Sequence, residues 1–435
     1  MASVSGEGGI PPTHQLQKNA LGLWQLVVMG VAYMGLALTV YFNVGLMEGI
    51  TGAVVPLAFA AVAIAMLPTA LSFAVMNQRR PAAGSVFTWL WEATAPPLGI
   101  WLGWVLVATY IVGSILQPVM FGLFFNSLLD YFGISAGTWT AMIAGLGSVV
   151  VVGVLTKKDI RLSAKITGYF IMFEAGFVLL LALYIIIKQA IDGNFTLDPF
   201  IYSHNTAGWS GFQNAILFAI LAIAAFDIVA PMAEETRTPR SLVPKATIYV
   251  TIGAGLYWVF TSFGIVNAVP AKTMAGYVNS GEFTPIYLVA GHYIGWLKIL
   301  VPLTGFTAVF AAFSAISIAA SRQLYALGRE GLAPRVFART DRNKTPWNAQ
   351  VLVLACCVVL PIIGIAINVY IFYKNFFQTF VLNPTSFQLQ TSISVACVLA
   401  VLLAVVFTVI GIRRTGKLGR PHSFIEDETA VEESA

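Results

Sequence analysis

The feature that most constrains this chain is a series of apolar runs, each long enough to cross a lipid bilayer as a helix. A helical crossing of the hydrocarbon core needs about 20 residues. Because 58% of the residues are apolar and only 10% are charged, a water-soluble globule would lack polar cover. The sequence therefore predicts an all-α polytopic membrane protein. We expect ten spans, near residues 22–46, 52–76, 98–129, 138–155, 165–188, 210–232, 246–269, 286–321, 348–370 and 389–412.

The third and eighth runs are longer than a straight crossing requires. Tilt or a cytoplasmic extension would accommodate the extra length, so we predict no further span there. The first 19 residues have no apolar core followed by a small-residue cleavage site, so nothing there resembles a signal peptide. We therefore expect the first span itself to direct insertion into the membrane.

Lysine and arginine are distributed unevenly between the two sides of these spans. Of the 24 basic residues, all but Lys188, Lys272, Lys298 and Lys374 fall on one side when alternate loops are assigned to opposite faces. Basic residues accumulate in cytoplasmic loops. We therefore expect a plasma-membrane protein with cytoplasmic tails at residues 1–19 and 413–435, and a membrane domain at residues 20–412.

Several classes of function lack the residues that they would need. The four histidines lie in tails, in loops or at a span edge, so no nucleophile, base or metal cluster for an enzyme is visible at depth. Cys356, Cys357 and Cys397 lie within late apolar runs, where packing is their ordinary role. Basic residues do not alternate with aromatic residues, which excludes a nucleic-acid site. We expect no cofactor, no metal, no channel filter and no appended receptor domain.

One acid interrupts the sixth apolar run. Asp227 is followed by Pro231 and then by a charged linker at residues 234–245. Placing an aspartate near the centre of a membrane helix costs about 2.5–3.5 kcal/mol, so such acids face a cavity, a partner or an ion path. A carboxylate in a low-dielectric environment can exchange protons near neutral pH as its solvation changes. Asp227 therefore favours transport with a coupling acid, and a purely structural acid is the alternative.

Three further residues are candidates for ion coupling. Glu174, midway along the fifth run, is a second acid inside the membrane. Ser314 and Ser317 share one face of the eighth run with Ser321, where their hydroxyls could complete a sodium site. Serines in membrane helices also bond back to carbonyls of their own helix. We favour a proton over sodium as the coupling ion.

The first run contains several residues that weaken a helix. Tyr33, Gly35 and Thr39 are among them, and the sixth run is weakened at Asp227 and Pro231. Matching interruptions in two halves point to inverted repeats with helices broken at the midplane. The positive ends of half-helices can hold a carboxylate, although close helix packing through small residues is an alternative. We expect five-helix repeats at about residues 22–188 and 210–412.

Four stretches resemble the amino acid/polyamine/organocation (APC) superfamily, and in particular its bacterial-type amino acid permeases. They are Leu21–Trp24, Pro81–Phe87, Asp227–Pro244 and Ser321–Pro334. The resemblance implies a leucine-transporter-like fold, with substrate between broken helices 1 and 6 and alternating access to the two sides. It also implies that the third and eighth helices line the route. Most members have twelve spans, whereas we predict ten here.

The resemblance and the depth of the polar residues together give a candidate substrate site. Ala37 and Ala225 stand where members of the family often carry glycine. An amino acid is the favoured substrate, and a polyamine or another organic cation is the alternative. The predicted substrate-binding residues are Tyr33, Gly35, Ala37, Thr39, Tyr110, Ala222, Ala225 and Phe226.

A charged group follows the sixth run at the predicted cytoplasmic side. It comprises Glu234, Glu235, Arg237 and Arg240. We expect these residues to form a cluster with Arg322 or Arg329 that steadies the inner mouth of the route.

Overall fold

The computed structural model describes residues 15–93, 96–158, 160–280 and 284–367. Within these ranges the fold is helical, which confirms the predicted fold class. The first eight predicted spans correspond to helical stretches long and apolar enough to cross a membrane, and a helix at Trp347–Ile367 begins where the ninth was expected. The predicted tenth span, Cys397 and both predicted tails except residues 15–19 lie outside the described residues. The eight stretches are Leu23–Thr51, Val55–Arg79, Pro96–Tyr131, Thr138–Lys158, Ile160–Ile191, Gly208–Glu235, Pro239–Val266 and Pro285–Arg329.

The first span is broken close to Gly35, as predicted. It consists of α1 (Leu23–Met34), α2 (Leu36–Thr39), a π-helical turn (Val40–Val44) and α3 (Gly45–Thr51). Gly35 has a φ of 62°, in the left-handed region that glycine adopts without a Cβ penalty. Its N–H donates to the carbonyl of Val31 at 3.1 Å, which ends α1. Trp258 Nε1 donates to the carbonyl of Leu36 at 3.1 Å and so holds the broken segment in place.

The rest of the first half forms five helices: α4 (Val55–Arg79), α5 (Val86–Ala93), α6 (Pro96–Tyr131), α7 (Thr138–Lys158) and α8 (Ile160–Ile191). Large apolar side chains such as Ile143 and Val150 on α7 are exposed, as expected for a surface that faces lipid. Gly122 of α6 lies against the backbone of Ala141, where a Cβ would approach the carbonyl oxygen to 2.1 Å. Small residues permit such close packing of membrane helices.

The sixth span changes its helix type at the predicted interruption. Helix α9 (Gly208–Ile223) passes into a 3-10 helix at Ala224–Glu235, which contains Pro231. A 3-10 helix of 12 residues is unusual, because its hydrogen bonds are poorer than those of an α-helix and runs above three or four residues are uncommon. Asp227 lies in the first turn of this segment.

The eighth predicted span is two helices rather than one tilted helix. After α10 (Pro239–Val266) and α11 (Ala271–Asn279), the chain forms α12 (Pro285–Ile294), turns at Gly295 and continues as α13 (Leu300–Arg329), followed by α14 (Trp347–Ile367). Gly295 has a φ of 56°, which bends the chain between α12 and α13. The extra length of this run therefore comes from a separate short helix and from extension to Arg329. That this run contains no further membrane span stays a prediction.

Helices α1 and α13 and the 3-10 segment at Ala224–Glu235 lie at the centre of the fold. Every residue of α13 from Ala308 to Gly328 is buried, and α1 packs against α13, α8, α10 and the 3-10 segment. The two ends of α8 make contacts at opposite ends of the bundle. Arg161 Nη2 donates to the carbonyl of Asn19 at 3.0 Å at one end, and Gln189 Nε2 donates to that of Asn267 at 2.7 Å at the other.

Candidate functional site

Asp227 and Tyr110 meet where the sixth span changes its helix type. Tyr110 Oη on α6 donates to Asp227 Oδ2 at 2.8 Å. The amides of Asp227 and Ile228 add hydrogen bonds to the same carboxylate. In the described part of the chain its partners are hydrogen-bond donors rather than a cation. Asp227 itself is half-buried, whereas Tyr110 is 1% exposed. The arrangement orients a carboxylate inside the bundle without neutralising it.

Tyr33 completes this layer from the first span. Its ring stands edge-on to that of Tyr110, with centroids 6.4 Å apart. Gly113, one turn along α6, leaves room for the phenol, because a Cβ there would lie 3.3 Å from Tyr33 Oη and 2.4 Å from Ile316. Three predicted site residues, Tyr33, Tyr110 and Asp227, are thus brought together.

The break at Gly35 begins a new short helix, α2. The first amides of α2, at Leu36, Ala37 and Leu38, have no partner within the helix because an N-terminal turn lacks preceding carbonyls. The positive end of the helix adds to their attraction for an anion. Thr39 has a different role: its N–H donates to Gly35 at 2.8 Å and its Oγ1 to the carbonyl of Met34 at 3.3 Å. Thr39 therefore stabilises the break.

The remaining predicted substrate-binding residues divide between the site and the core. Ala225 is half-buried beside Asp227. Phe226 is 2% exposed and packs edge-on against Phe73, with ring centroids 5.3 Å apart. Ala222 is buried in the same apolar cluster. Phe226 and Ala222 therefore pack in the apolar core. Consecutive residues of a helical segment point in different directions, so these two side chains need not face the same surroundings as Asp227.

The other ion-coupling candidates lie on α8 and α13. Glu174 is fully buried, and neither of its carboxylate oxygens has a hydrogen-bond partner among the described residues. Ser317 Oγ donates to the carbonyl of Ser314 at 3.2 Å, so it bonds back to its own helix. Ser314 Oγ is buried and has no hydrogen-bond partner within the described ranges.

Two buried ion pairs join the 3-10 segment to α13 and confirm the predicted pairing of the acidic cluster. Arg322 Nε and Nη2 donate to Glu235 at 2.8 and 3.1 Å. Arg329 Nη1 and Nη2 donate to Glu234, both at 2.9 Å. Glu234 also accepts the N–H of Ala83 at 3.0 Å. Each pair is bidentate, the geometry in which arginine and carboxylate interact most strongly.

The predicted membership of this cluster was wrong in two residues. Arg237 and Arg240 are exposed, whereas in the described part of the chain the two buried pairs consist of Arg322 with Glu235 and Arg329 with Glu234. The 3-10 helix ends at Glu235, and both arginines follow it in the chain.

Some polar contacts inside the bundle could not have been found from the sequence. Tyr41 and Thr304 are hydrogen-bonded although 263 positions separate them, and Tyr257 contacts the backbone of Ala175 through its hydroxyl. Their only sequence signal is a polar group inside an apolar run, which many packed membrane helices share. Gly113 gave a similarly weak signal, because small residues are frequent in such helices.

Comparison with known proteins identifies relatives of low identity that share most of their length with this chain. The low-affinity putrescine importer PlaP of Escherichia coli (strain K12) is 24% identical over 360 residues, covering 80% of this chain and 76% of that protein. The branched-chain amino acid permease BcaP of Bacillus subtilis (strain 168) is 23% identical over 367 residues, covering 80% and 74%. A probable polyamine transporter of Arabidopsis thaliana is 24% identical over 287 residues, covering 64% and 54%.

A solved structure and a family profile complete the comparison. The structure is that of a Na⁺-coupled sialic acid symporter in a substrate-bound outward-open state, with a TM-score of 0.45, 12% identity, and coverage of 90% of this chain and 89% of that one. The profile described as "Amino acid permease" matches residues 21–424. Because this match spans most of the sequence, the chain belongs to the amino acid permease family.

Proposed function

We propose that this permease carries amino acids across the membrane by alternating access and that Asp227 exchanges a proton in each cycle. The observation that carries the proposal is the layer of Tyr33, Tyr110 and Asp227 beside two interrupted helices. The match to the branched-chain amino acid permease BcaP supports the substrate class. The family and its named relatives are carriers, and we propose no catalysis.

The amides of Leu36, Ala37 and Leu38 would bind the substrate carboxylate, since they lie at the positive end of α2. The ammonium group would face Asp227 or the carbonyls that end α1. Protonation of Asp227 would remove its negative charge while Tyr110 remains beside it as a hydrogen-bonding partner. The affinity of the site for the ammonium would then depend on the proton.

The two buried ion pairs would act as the gate on the cytoplasmic side. Separating Arg322 from Glu235 exposes two charges that are each 1% exposed when paired. We propose that both termini face the cytoplasm of a plasma-membrane protein. The membrane domain would extend over residues 20–412, with repeats at about 22–188 and 210–412.

A second substrate class, the polyamines, is favoured by the names of the putrescine importer PlaP and the probable polyamine transporter of Arabidopsis thaliana. A polyamine carries several ammonium groups, which would favour several carboxylates in one pocket. The described layer around Asp227 has one. Sodium is the alternative coupling ion, and the unpartnered Ser314 hydroxyl on α13 favours it.

The coupling proposal predicts a selective defect in Asp227→Asn. This variant fixes the side chain in a neutral form that resembles the protonated acid. It should lose accumulation of labelled amino acids driven by a pH gradient, yet retain exchange of labelled for unlabelled substrate. The measurement is uptake into liposomes that contain purified protein, with and without the gradient.

Glu48→Gln provides the matched control, because Glu48 is also a buried membrane acid but lies on α3. It should retain gradient-driven uptake. Loss of exchange and of thermal stability together in Asp227→Asn would identify a structural acid. Gradient-driven uptake that persists in Asp227→Asn would remove the coupling role from this residue.

A further inference from the structure

A second polar cluster surrounds Glu174, apart from the layer of Asp227. Tyr41 lies in the π-helical turn Val40–Val44, and its hydroxyl is hydrogen-bonded to Thr304 Oγ1 on α13. Tyr257 on α10 donates its hydroxyl to the carbonyl of Ala175, the residue that follows Glu174, at 3.2 Å. Glu174 lies on α8, which packs against both α10 and α13, and its carboxylate lies within electrostatic range of both phenols. π-Helical turns occur frequently at functional sites.

The hydrogen bonds of this cluster determine which atoms carry its protons. Thr304 Oγ1 donates to the carbonyl of Leu300 at 2.6 Å, so the proton in its bond with Tyr41 comes from the tyrosine. The hydroxyl proton of Tyr257 is donated to the carbonyl of Ala175. A phenol has a single proton, and both oxygens are therefore left with lone pairs only.

Glu174 adds two more acceptors and no donor. It is fully buried on α8, and in the part of the chain that the structure describes neither oxygen has a hydrogen-bond partner. Burying an unpaired carboxylate is strongly unfavourable. Protonation of Glu174 would remove its charge. The resulting carboxyl O–H would find no acceptor within hydrogen-bonding distance among the described residues. A bound cation would compensate the charge and contact several oxygens at once.

The cluster is distinct from the substrate layer along the axis of α13. Tyr41 contacts Thr304, whereas Tyr33 lies beside Gly113 and Ile316. Thr304 and Ile316 are 12 residues apart in one helix, which corresponds to about 18 Å at 1.5 Å per residue. A ligand of ordinary amino acid size could not extend from Thr304 to Ile316.

We propose that Glu174, Tyr41, Tyr257 and Thr304 form a binding site for a monovalent alkali metal cation, Na⁺ or K⁺. Carboxylate and hydroxyl oxygens are hard ligands that suit such ions. One carboxylate balances one positive charge, so a divalent ion would leave an uncompensated charge inside the membrane. The site goes beyond the proposed function and does not depend on proton exchange at Asp227.

Thermal unfolding of the purified full-length chain tests the site without substrate or uptake. Wild type is compared in NaCl, KCl and choline chloride at equal ionic strength and constant pH. A ligand that binds only the folded state raises the Tm by mass action. We expect a rise on the order of 2 °C in Na⁺ or K⁺ relative to choline. Glu174→Gln should abolish the rise, and Glu48→Gln should retain it.

Tyr257→Phe is a milder variant that removes one oxygen, and it should raise several-fold the cation concentration needed for half of the effect. If Glu174→Gln does not fold, the response of Tyr257→Phe to the cation tests the proposed site instead. A wild-type Tm that does not respond to either cation would overturn the proposal. An undiminished response in both Glu174→Gln and Tyr257→Phe would place the cation elsewhere. A Tm that follows pH alone would assign a proton to Glu174 and also overturn it.

Discussion

At the scale of single residues, Gly35 and Asp227 make the centre of this membrane protein polar. Gly35 does so through the backbone, because its left-handed conformation ends α1 and frees the amides of the next turn. Asp227 does so through its side chain, which Tyr110 orients at 2.8 Å. Polar groups at such depth are costly in a membrane protein, which is why both positions stand out in the sequence.

Gly35→Ala should weaken substrate binding beyond its effect on stability. A Cβ at the left-handed position costs about 1 kcal/mol and would lie 3.2 Å from Leu38 Cβ, within the turn that supplies the free amides. The matched control is Gly133→Ala, because Gly133 has a φ of 74° with open space around it. The Tm and the binding of an amino acid mixture are measured for both variants.

Both alanine variants should lose similar stability, and only Gly35→Ala should lose affinity. Equal affinities for the two variants would show that the break at Gly35 does not contribute to binding.

The sequence predicted which residues interrupt the helices, and less well which side chains share a site. Asp227 is an exceptional residue type for an apolar run, and Gly35 lies in a run with several residues that weaken a helix, so both positions were predictable. Phe226 and Thr39 were placed in the pocket, but one packs against Phe73 and the other bonds to Met34. Side-chain direction depends on the local helix type, and neither the π-helical turn nor the long 3-10 helix has a clear sequence signature.

At the scale of elements, α13 links the ion pairs to the centre of the fold. It is buried from Ala308 to Gly328, and its end carries Arg322 and Arg329 toward the 3-10 segment. The sequence placed this helix within one long run, because apolar periodicity continues through Gly295. A glycine after an aromatic, helix-forming stretch is a C-terminal signal, and it could have revealed the end of α12.

Breaking a buried ion pair should destabilise the protein far more than breaking an exposed one. Arg322→Met leaves Glu235 as an unpaired buried charge, which costs about 3–5 kcal/mol. The double variant with Glu235→Gln should recover most of this loss, since no bare charge remains. Thermal unfolding of the two single variants and the double variant measures the coupling.

Arg80 and Glu92 provide the exposed control. Their atoms are 3.0 Å apart, but the side chains are 38% and 21% exposed. The same cycle on this pair should yield about 0–1 kcal/mol. A similar coupling energy for both pairs would contradict a special role for the buried pairs at the mouth of the bundle.

At the scale of the whole molecule, contacts at the two ends of α8 mark two ends of the bundle, and the assignment of the remaining loops to them stays a prediction. Asn19 and Arg161 meet at one end, and Gln189 and Asn267 meet at the other. Which end faces the cytoplasm follows from the excess of lysine and arginine, an effect of membrane insertion. Contacts within the folded bundle do not encode that orientation.

Cysteine labelling should therefore distinguish the two ends. With Cys356, Cys357 and Cys397 replaced by alanine, Gly276→Cys on α11 should react with a membrane-impermeant maleimide applied to intact cells. Thr340→Cys should react only after permeabilisation. Reaction of both positions from the outside would contradict the span assignment between them.

The central claim is that the protein is an amino acid carrier, and counterflow tests it most directly. Liposomes with wild-type protein are preloaded with the twenty unlabelled amino acids, diluted, and given labelled amino acids outside. We predict transient accumulation of label that requires the preload, because a carrier exchanges one substrate molecule for another. Accumulation of labelled putrescine alone, in putrescine-loaded liposomes, would contradict the substrate class, and entry of label independent of the preload would contradict a carrier.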